Sequence, residues 1–556
     1  MPNPQINHSP QRDLTGIARK MLILGLDGAT WNVLDPLMQA GRMPHLKLIV
    51  EGGTSGVLRS TVPPITPAAW TTFLTGKTPG VHGIIDFERY DVRTNALTFN
   101  TTNALRHVRS IWKILGDKGF RVGSVNVPMT YPPIPVNGFL ISGFEAVSTK
   151  TEFTHPPELK SQILSKWPDY SFKNKWRRKT LGGDWLYAEN LVDINKSFHQ
   201  GDEVLRHCCD EYGWDVAMIV FKMVDNLQHK VWRYIDPRTR SRFPKRCAMA
   251  EDCFAQLDVA LGRLIDYADQ HDAHIFVMSD HGHGSLEGKA QPNLMLRDWG
   301  YLKIRDRGAQ SRTRTKHSIA RLLRKKGKFA AGNFSLTDDL AVDFSRTRAA
   351  VMHAGMAGFL YINLKGRQET GIVEPGDYES LRDKLKERFE SATCVDPTGR
   401  EVRIFEQVHK PEKLYGCERG DRDWLPDLML CPTPRLAVVR KIRGGKPVNW
   451  IRLTRMEGTH RPEGIYAIYG KGVPAGQRLD TDIINATPTI LAMLGVYVPD
   501  DMQGRVVEDI FDPPLIHDTE SVEPTDKASD HPPEPVYSAD DMAKLTERLA
   551  DLGYLE

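Results

Sequence analysis

Three short apolar runs in this chain lead straight into acidic or imidazole residues. Residues 20–28 (KMLILGLDG) close on Asp27, residues 214–224 (WDVAMIVFKMV) lead into Asp225, and residues 274–279 (HIFVMS) lead into Asp280 and His281. A further strand candidate, GFRVGSVNV, covers residues 119–127. Runs that are apolar throughout are buried on both faces. Between them lie segments with helical spacing. In 29–52 it is carried by Val33, Leu37, Leu46, Ile49 and Val50, and in 249–268 by Phe254, Leu257, Leu261, Leu264 and Ile265. The pattern predicts an α/β fold with a mostly parallel sheet sandwiched by helices. In such sheets chemistry collects at the carboxyl ends of the strands, where these acids and imidazoles fall.

A chain of 556 residues exceeds one simple domain. The catalytic α/β core is expected in three pieces, 21–149, 201–302 and 451–511, after a loose tail over 1–20. Residues 150–200 read as a small polar insert with the basic cluster Lys173, Lys175, Arg177, Arg178 and Lys179. Residues 303–450 read as an inserted α+β cap that roofs the site, with a helix over 376–390 and strand-like pieces AGFLYINLKG, VRIFEQV and LAVVRKI. Residues 512–537 have linker composition. Ser538 with Asp541 then starts a final helix to 556, striped by Met542, Leu545, Leu549 and Leu552.

The net charge of +4 is uneven. Residues 303–328 hold eleven Lys or Arg against the single acid Asp306, which leaves the rest of the chain at about −6. A solvated helix and loop is the favoured reading of that run; contact with nucleic acid or an anionic surface is the other. No run approaches the ~18 apolar residues of a spanning helix. The first residues lack the basic-then-apolar order of a secretory signal, so a cytoplasmic address is expected. Seven cysteines with no CxxC pair speak against an oxidised framework or a thiolate metal site.

Seven residues form the candidate site: Asp27, Thr66, Asp225, His229, Asp280, His281 and His460. Six are oxygen or imidazole donors suited to two borderline metal ions, and Thr66 is a hydroxyl that could act as nucleophile. A phosphoryl centre repels an anionic nucleophile, and a hydroxyl near neutral pH is scarcely ionised. Two divalent ions roughly 4 Å apart answer both problems. Asp225 and His229, four apart, share a face on a helical turn. Thr66 lies in PPITPAAWTTFLTG, a rigid turn into a helix whose first N–H groups can meet phosphate oxygens; a plain N-cap is its other reading.

The chain resembles the alkaline phosphatase superfamily in its type I phosphodiesterase and nucleotide pyrophosphatase branch, closest to a bacterial group of phosphohydrolases or phosphomutases. The matching pieces are LILGLDGATW, PPITPAAWTTFLTGKTPGVHGI, FKMVDNLQHKVW, FVMSDHGHG, GTHRPEGIYAIYG, TPTILAMLGVYVPDDMQGR and the closing LTERLADLGYL. The resemblance implies an alkaline phosphatase-like core. It implies one metal held by Asp27, Thr66, Asp280 and His281 and another held by Asp225, His229 and His460. Thr66 would form a phosphothreonine, which hydroxide from the second metal releases. Zinc is the usual ion of these relatives, with manganese in the mutases. The expected function is a two-metal phosphohydrolase acting on a small phosphorylated substrate, a phosphodiester or nucleotide-like compound. The alternatives are a phosphomutase on a small phosphorylated metabolite and a catalytically silent anion-binding protein. Where nucleotide pyrophosphatases carry a phosphate-binding Asn past HGI, this chain has Asp86 and Phe87. The sulfatase pattern Cys/Ser-x-Pro-x-Arg is absent at Thr66. His283 is an extra imidazole, expected behind the ligands or facing substrate rather than on a metal. Oligomeric state leaves no mark on the sequence.

Overall fold

The computed structural model describes residues 17–94, 96–100, 108–172, 176–177, 183–305, 342–420, 422–511, 514–515, 517–522 and 537–552. The basic run 303–328 lies almost wholly outside the described residues, as do Lys173, Lys175, Arg178 and Lys179. The chain divides into two compact units. One comprises Met1–Asp86, Thr101–Ser285 and Glu457–Val536; the other comprises Phe87–Asn100, Leu286–Met456 and Tyr537–Glu556.

The first unit is built on strands β1 (Lys20–Gly25), β2 (Thr54–Arg59), β3 (Val122–Val127), β4 (Gly138–Ser142), β5 (Thr154–His155), β6 (Val216–Val220), β7 (Ala273–Met278), β8 (Gly282–Leu286), β9 (Glu457–Arg461), β10 (Glu463–Tyr469), β11 (Gln477–Arg478) and β12 (Thr481–Asp482). Ten of them make one sheet in the order β11-β2-β10-β7-β1-β6-β3-β4-β5, with β12 beside β2; β8 and β9 pair separately. The middle, β7-β1-β6-β3-β4, is parallel throughout. Leu22 of β1 aligns with Ala217 on one side and Ile275 on the other, and all three are buried. The sheet is thus mostly parallel, as its apolar runs require. Strand β10 is antiparallel to both β7 and β2.

Helices α1 (Trp31–Gln39), α2 (Pro44–Gly52), α3 (Thr66–Thr75), α4 (Gly183–Tyr212), α5 (Met223–Ile235) and α6 (Pro244–Gln270) belong to this unit. The helical spacing over 29–52 resolves into two helices, because Gly41 adopts φ +70° and Pro44 starts α2. The apolar run 214–224 is part strand and part helix. Phe221 donates its N–H to Gly25 O beyond β6, and Met223 already opens α5, which places Asp225 in a first helical turn. Helix α4 runs unbroken through residue 200 and packs along α6; Asp202, fully buried, pairs with Arg206 and Arg263.

In the second unit Ala349–Ala354, Gly358–Ile362, Leu428–Pro432 and Phe405–His409 form an antiparallel sheet. Helix Tyr378–Glu390 buries Leu381, Leu385 and Phe389 against it. The buried Asp427 carboxylate accepts hydrogen bonds from Arg367, Arg419, Tyr378 and the Ile362 N–H, which locks helix and sheet together. Helix Ala539–Leu552 starts on the Ser538–Asp541 pair, each supporting the other's N–H, and buries Leu545 and Leu549. No described helix is long and apolar enough to cross a membrane.

Ile23 sits fully buried in β1 between β6 and β7. Ile23→Ala should cost about 2–5 kcal/mol of stability, read as a lower urea midpoint with an unchanged circular dichroism spectrum at zero denaturant.

Candidate metal centre

Every residue of the predicted site is buried, and the seven come from five separate places in the fold. Asp27 follows β1 and Thr66 is the first residue of α3. Asp225 and His229 stand one turn apart in α5. Asp280 and His281 follow β7, and His460 lies in β9. Asp225 Oδ1 lies 3.2 Å from His229 Nε2 and 3.4 Å from the Nε2 atoms of both His460 and His283. His229 Nε2 and His460 Nε2 are 3.1 Å apart. On the other side, His281 Nε2 is 3.4 Å from Thr66 Oγ1 and 3.4 Å from Asp280 Oδ2. Asp27, Asp225 and His281 each offer one atom to a common cluster within 4.8 Å, and so do Asp225, His229, His283 and His460. Thr66 is not an N-cap: that position is Ile65, and no side chain caps α3.

The imidazoles share one construction. Nδ1 of His229 lies 2.8 Å from Gly458 O, that of His281 3.0 Å from Gly282 O, that of His283 2.9 Å from Gly28 O, and that of His460 3.0 Å from Pro64 O. A carbonyl oxygen only accepts, so each Nδ1 donates, and each Nε2 is the nitrogen turned to the centre. Close backbone approach makes this workable. A Cβ on Gly458 would stand 2.5 Å from Gln228 O, and Gly28, at φ +69°, would drive one to 2.8 Å from the His283 ring.

Burial sets the charges. It pushes Asp280 up to about 7. Asp27 also rises to about 7, through burial and then the neighbouring Asp280 charge. Burial would raise Asp225 too, but Lys222 and His229 outweigh it and hold that carboxyl well below its usual value. Burial likewise keeps His281, His283 and His460 below the usual imidazole value, and neutral imidazole is the ligating form. Lys222 Nζ bonds Asp225 and lies 3.4 Å from Asp27 Oδ1, so its ammonium bridges two of the three carboxylates. Trp70 donates its indole N–H to Asp27 Oδ2 at 3.0 Å, fixing that carboxylate from one turn beyond Thr66. Sequence reading missed Lys222 and Trp70. Their only trace was spacing, three before Asp225 and four after Thr66. The histidine of HGI is structural: His82 bonds Thr72 Oγ1 and accepts from the Ile84 N–H.

Oxygen and neutral imidazole donors without thiolate fit borderline divalent ions. The seven cysteines stand apart from these clusters. A parallel sheet whose carboxyl edge carries a buried Asp–His centre beside a helix-borne hydroxyl defines an α/β metalloenzyme. The profile of the type I phosphodiesterase / nucleotide pyrophosphatase family matches residues 21–463, and the chain belongs to that family. It is a metal-dependent phosphoester hydrolase. Among solved structures, human ectonucleotide pyrophosphatase / phosphodiesterase 5 is similar at TM-score 0.48 and 12% identity, over 88% of this chain and 99% of its own. The murine protein gives 0.49 and 13%, over 88% and 100%. Its inactive form in complex with AMP gives 0.47 and 12%, over 86% and 95%. A comparison with curated proteins gave no match.

The raised carboxyls set a pH dependence. Asp280 and Asp27, at about 7 against 3.8 ordinarily, keep protons in the folded metal-free protein that the unfolded chain has released. Their share of metal-free stability should therefore fall as pH rises from about 4 to 7, opposed by His281, His283 and His460, which stay neutral in the fold while the unfolded chain binds their protons. Asp225 adds nothing in that window, since its depressed carboxyl is ionised in both states above the ordinary value. Divalent ions need the carboxylates ionised, so their affinity should climb with pH and level off above about 7. Urea unfolding with chelator and with zinc, across pH 4.5 to 8, reads the stability that zinc adds at each pH; a zinc stabilisation that fails to grow with pH contradicts the assignment.

Proposed function

We propose that this protein hydrolyses a phosphodiester or nucleotide-like phosphate ester through a phosphothreonine at Thr66, with two divalent ions, zinc by preference. The observation that carries the reading is Thr66 Oγ1, buried at the start of α3 and 3.4 Å from His281 Nε2. Asp27, Thr66, Asp280 and His281 would hold one ion, and Asp225, His229 and His460 the other. Bound there, the ions would lower the pKa of the Thr66 hydroxyl and neutralise the non-bridging phosphoryl oxygens.

The chain's own groups do the rest. The first turn of α3 directs backbone N–H groups and the positive end of its dipole toward the incoming phosphate. Thr66 Oγ forms a bond to phosphorus as the ester oxygen departs with a proton. Water then attacks the phosphothreonine, freeing phosphate monoester and restoring the hydroxyl. Trp70 keeps Asp27 in place throughout, and the backbone carbonyls keep the imidazoles from turning. With its carboxylates ionised, the centre carries three negative charges against the one ammonium of Lys222. That deficit makes room for divalent ions and leaves the loaded site positive toward an anionic ester.

Thr66→Ala should cut turnover by roughly a thousandfold or more while metal content stays near two ions per chain. Asp225→Asn should lose metal and activity together, since a neutral amide binds such cations poorly. Aryl phosphodiester, monoester, phosphonate and sulfate substrates, assayed on zinc-loaded protein with metal analysis alongside, check both. Undiminished hydrolysis by Thr66→Ala would remove Thr66 as nucleophile. Phosphoryl return to the substrate without net hydrolysis would make the protein a mutase.

A further inference from the structure

His283 is the one imidazole of the centre that the function above does not use. It is fully buried in β8, and its ring is fixed from several sides. Trp232 stacks on it at 6.2 Å, and the backbone of Gly28 leaves no room for even a methyl group beside it. Its Nδ1 lies 2.9 Å from Gly28 O, an acceptor. Gln228 donates to that same carbonyl at 2.7 Å and is only within 3.5 Å of the His283 Nδ1. The proton therefore sits on Nδ1, and Nε2 carries a bare lone pair. That Nε2 has no hydrogen-bond partner among the described residues, and it faces Asp225 Oδ1 at 3.4 Å. A lone pair aimed at a buried carboxylate oxygen is repulsive unless a cation lies between them.

The separations say what kind of cation. The Nε2 atoms of His229, His283 and His460 surround Asp225 Oδ1 at 3.2, 3.4 and 3.4 Å, and the first and last are 3.1 Å apart. Four donors at about 2.0–2.1 Å from a tetrahedral zinc are about 3.3–3.4 Å from one another. We infer that His283 is a direct ligand, the fourth from the protein, of the ion held by Asp225, His229 and His460. The inference rests on the reading that the centre holds divalent ions. It replaces the expectation of an imidazole behind the ligands. That role would need the proton on Nε2, which would set a bare Nδ1 against the Gly28 carbonyl at 2.9 Å.

Cobalt(II) loading of the full chain tests this without an activity assay. Each imidazole bound through Nε2 contributes one exchangeable, strongly shifted Nδ1–H proton resonance. His229, His281, His283 and His460 should give four in the wild type. His283→Ala should lose one of them and weaken the ion held with Asp225, His229 and His460 in chelator competition by more than the roughly 10–100-fold cost of losing a partner behind a ligand, with the circular dichroism spectrum unchanged. Three resonances in the wild type, a count that needs no variant, would overturn the assignment. So would a His283→Ala protein that keeps all four. A chain that takes up no cobalt at all would overturn the divalent-ion reading itself, which is a different result.

Discussion

Three carboxylates, Asp27, Asp225 and Asp280, are fully buried at one edge of the sheet, and the structure around them answers that concentration of charge. Water does not screen them there, so each must be protonated or faced by a positive group. Lys222 bridges Asp27 and Asp225, and burial pushes Asp280 and Asp27 toward their protonated forms. Neither response suits a resting enzyme at neutral pH as well as divalent ions do. The four imidazoles are arranged for the same end. Each spends its N–H on a backbone carbonyl, and each turns its second nitrogen inward.

The sheet makes this arrangement possible because parallel strands deliver their carboxyl ends to one side. Strands β1 and β7 lie side by side in that sheet and bring Asp27, Asp280 and His281 together. The single residue after Asp27 ties the pieces. Gly28 donates its N–H to Asp280 Oδ1, while its carbonyl accepts from His283 and Gln228. The left-handed turn at this glycine lets three separate segments meet on one residue. The apolar core beneath, with Ile23, Met218 and Phe276 among its members, holds the strand ends in register.

Much of this was legible in the sequence because it depends on local pattern. Apolar runs ending in Asp27 and Asp280 carry their meaning within a few residues, and the four-residue spacing of Asp225 and His229 survives into α5. Other features are tertiary and left little or no local trace. The antiparallel pairing of β10 with β2 and β7 is one of them, and α4 crosses a boundary that composition alone had placed at 200. Lys222, Trp70 and Gln228 become part of the centre only when α3 and α5 pack against the β1 end. For His283 the deciding fact is which of its nitrogens meets the Gly28 carbonyl, which no spacing rule contains.

Anomalous diffraction at the zinc edge, from crystals of the zinc-loaded protein, tests the central claim most directly. The account predicts two strong peaks inside the Asp27, Asp225 and Asp280 cluster, one among Asp225, His229 and His460 and one beside Asp280, His281 and Thr66. A cluster without anomalous density, with zinc bound only elsewhere on the chain, would contradict it.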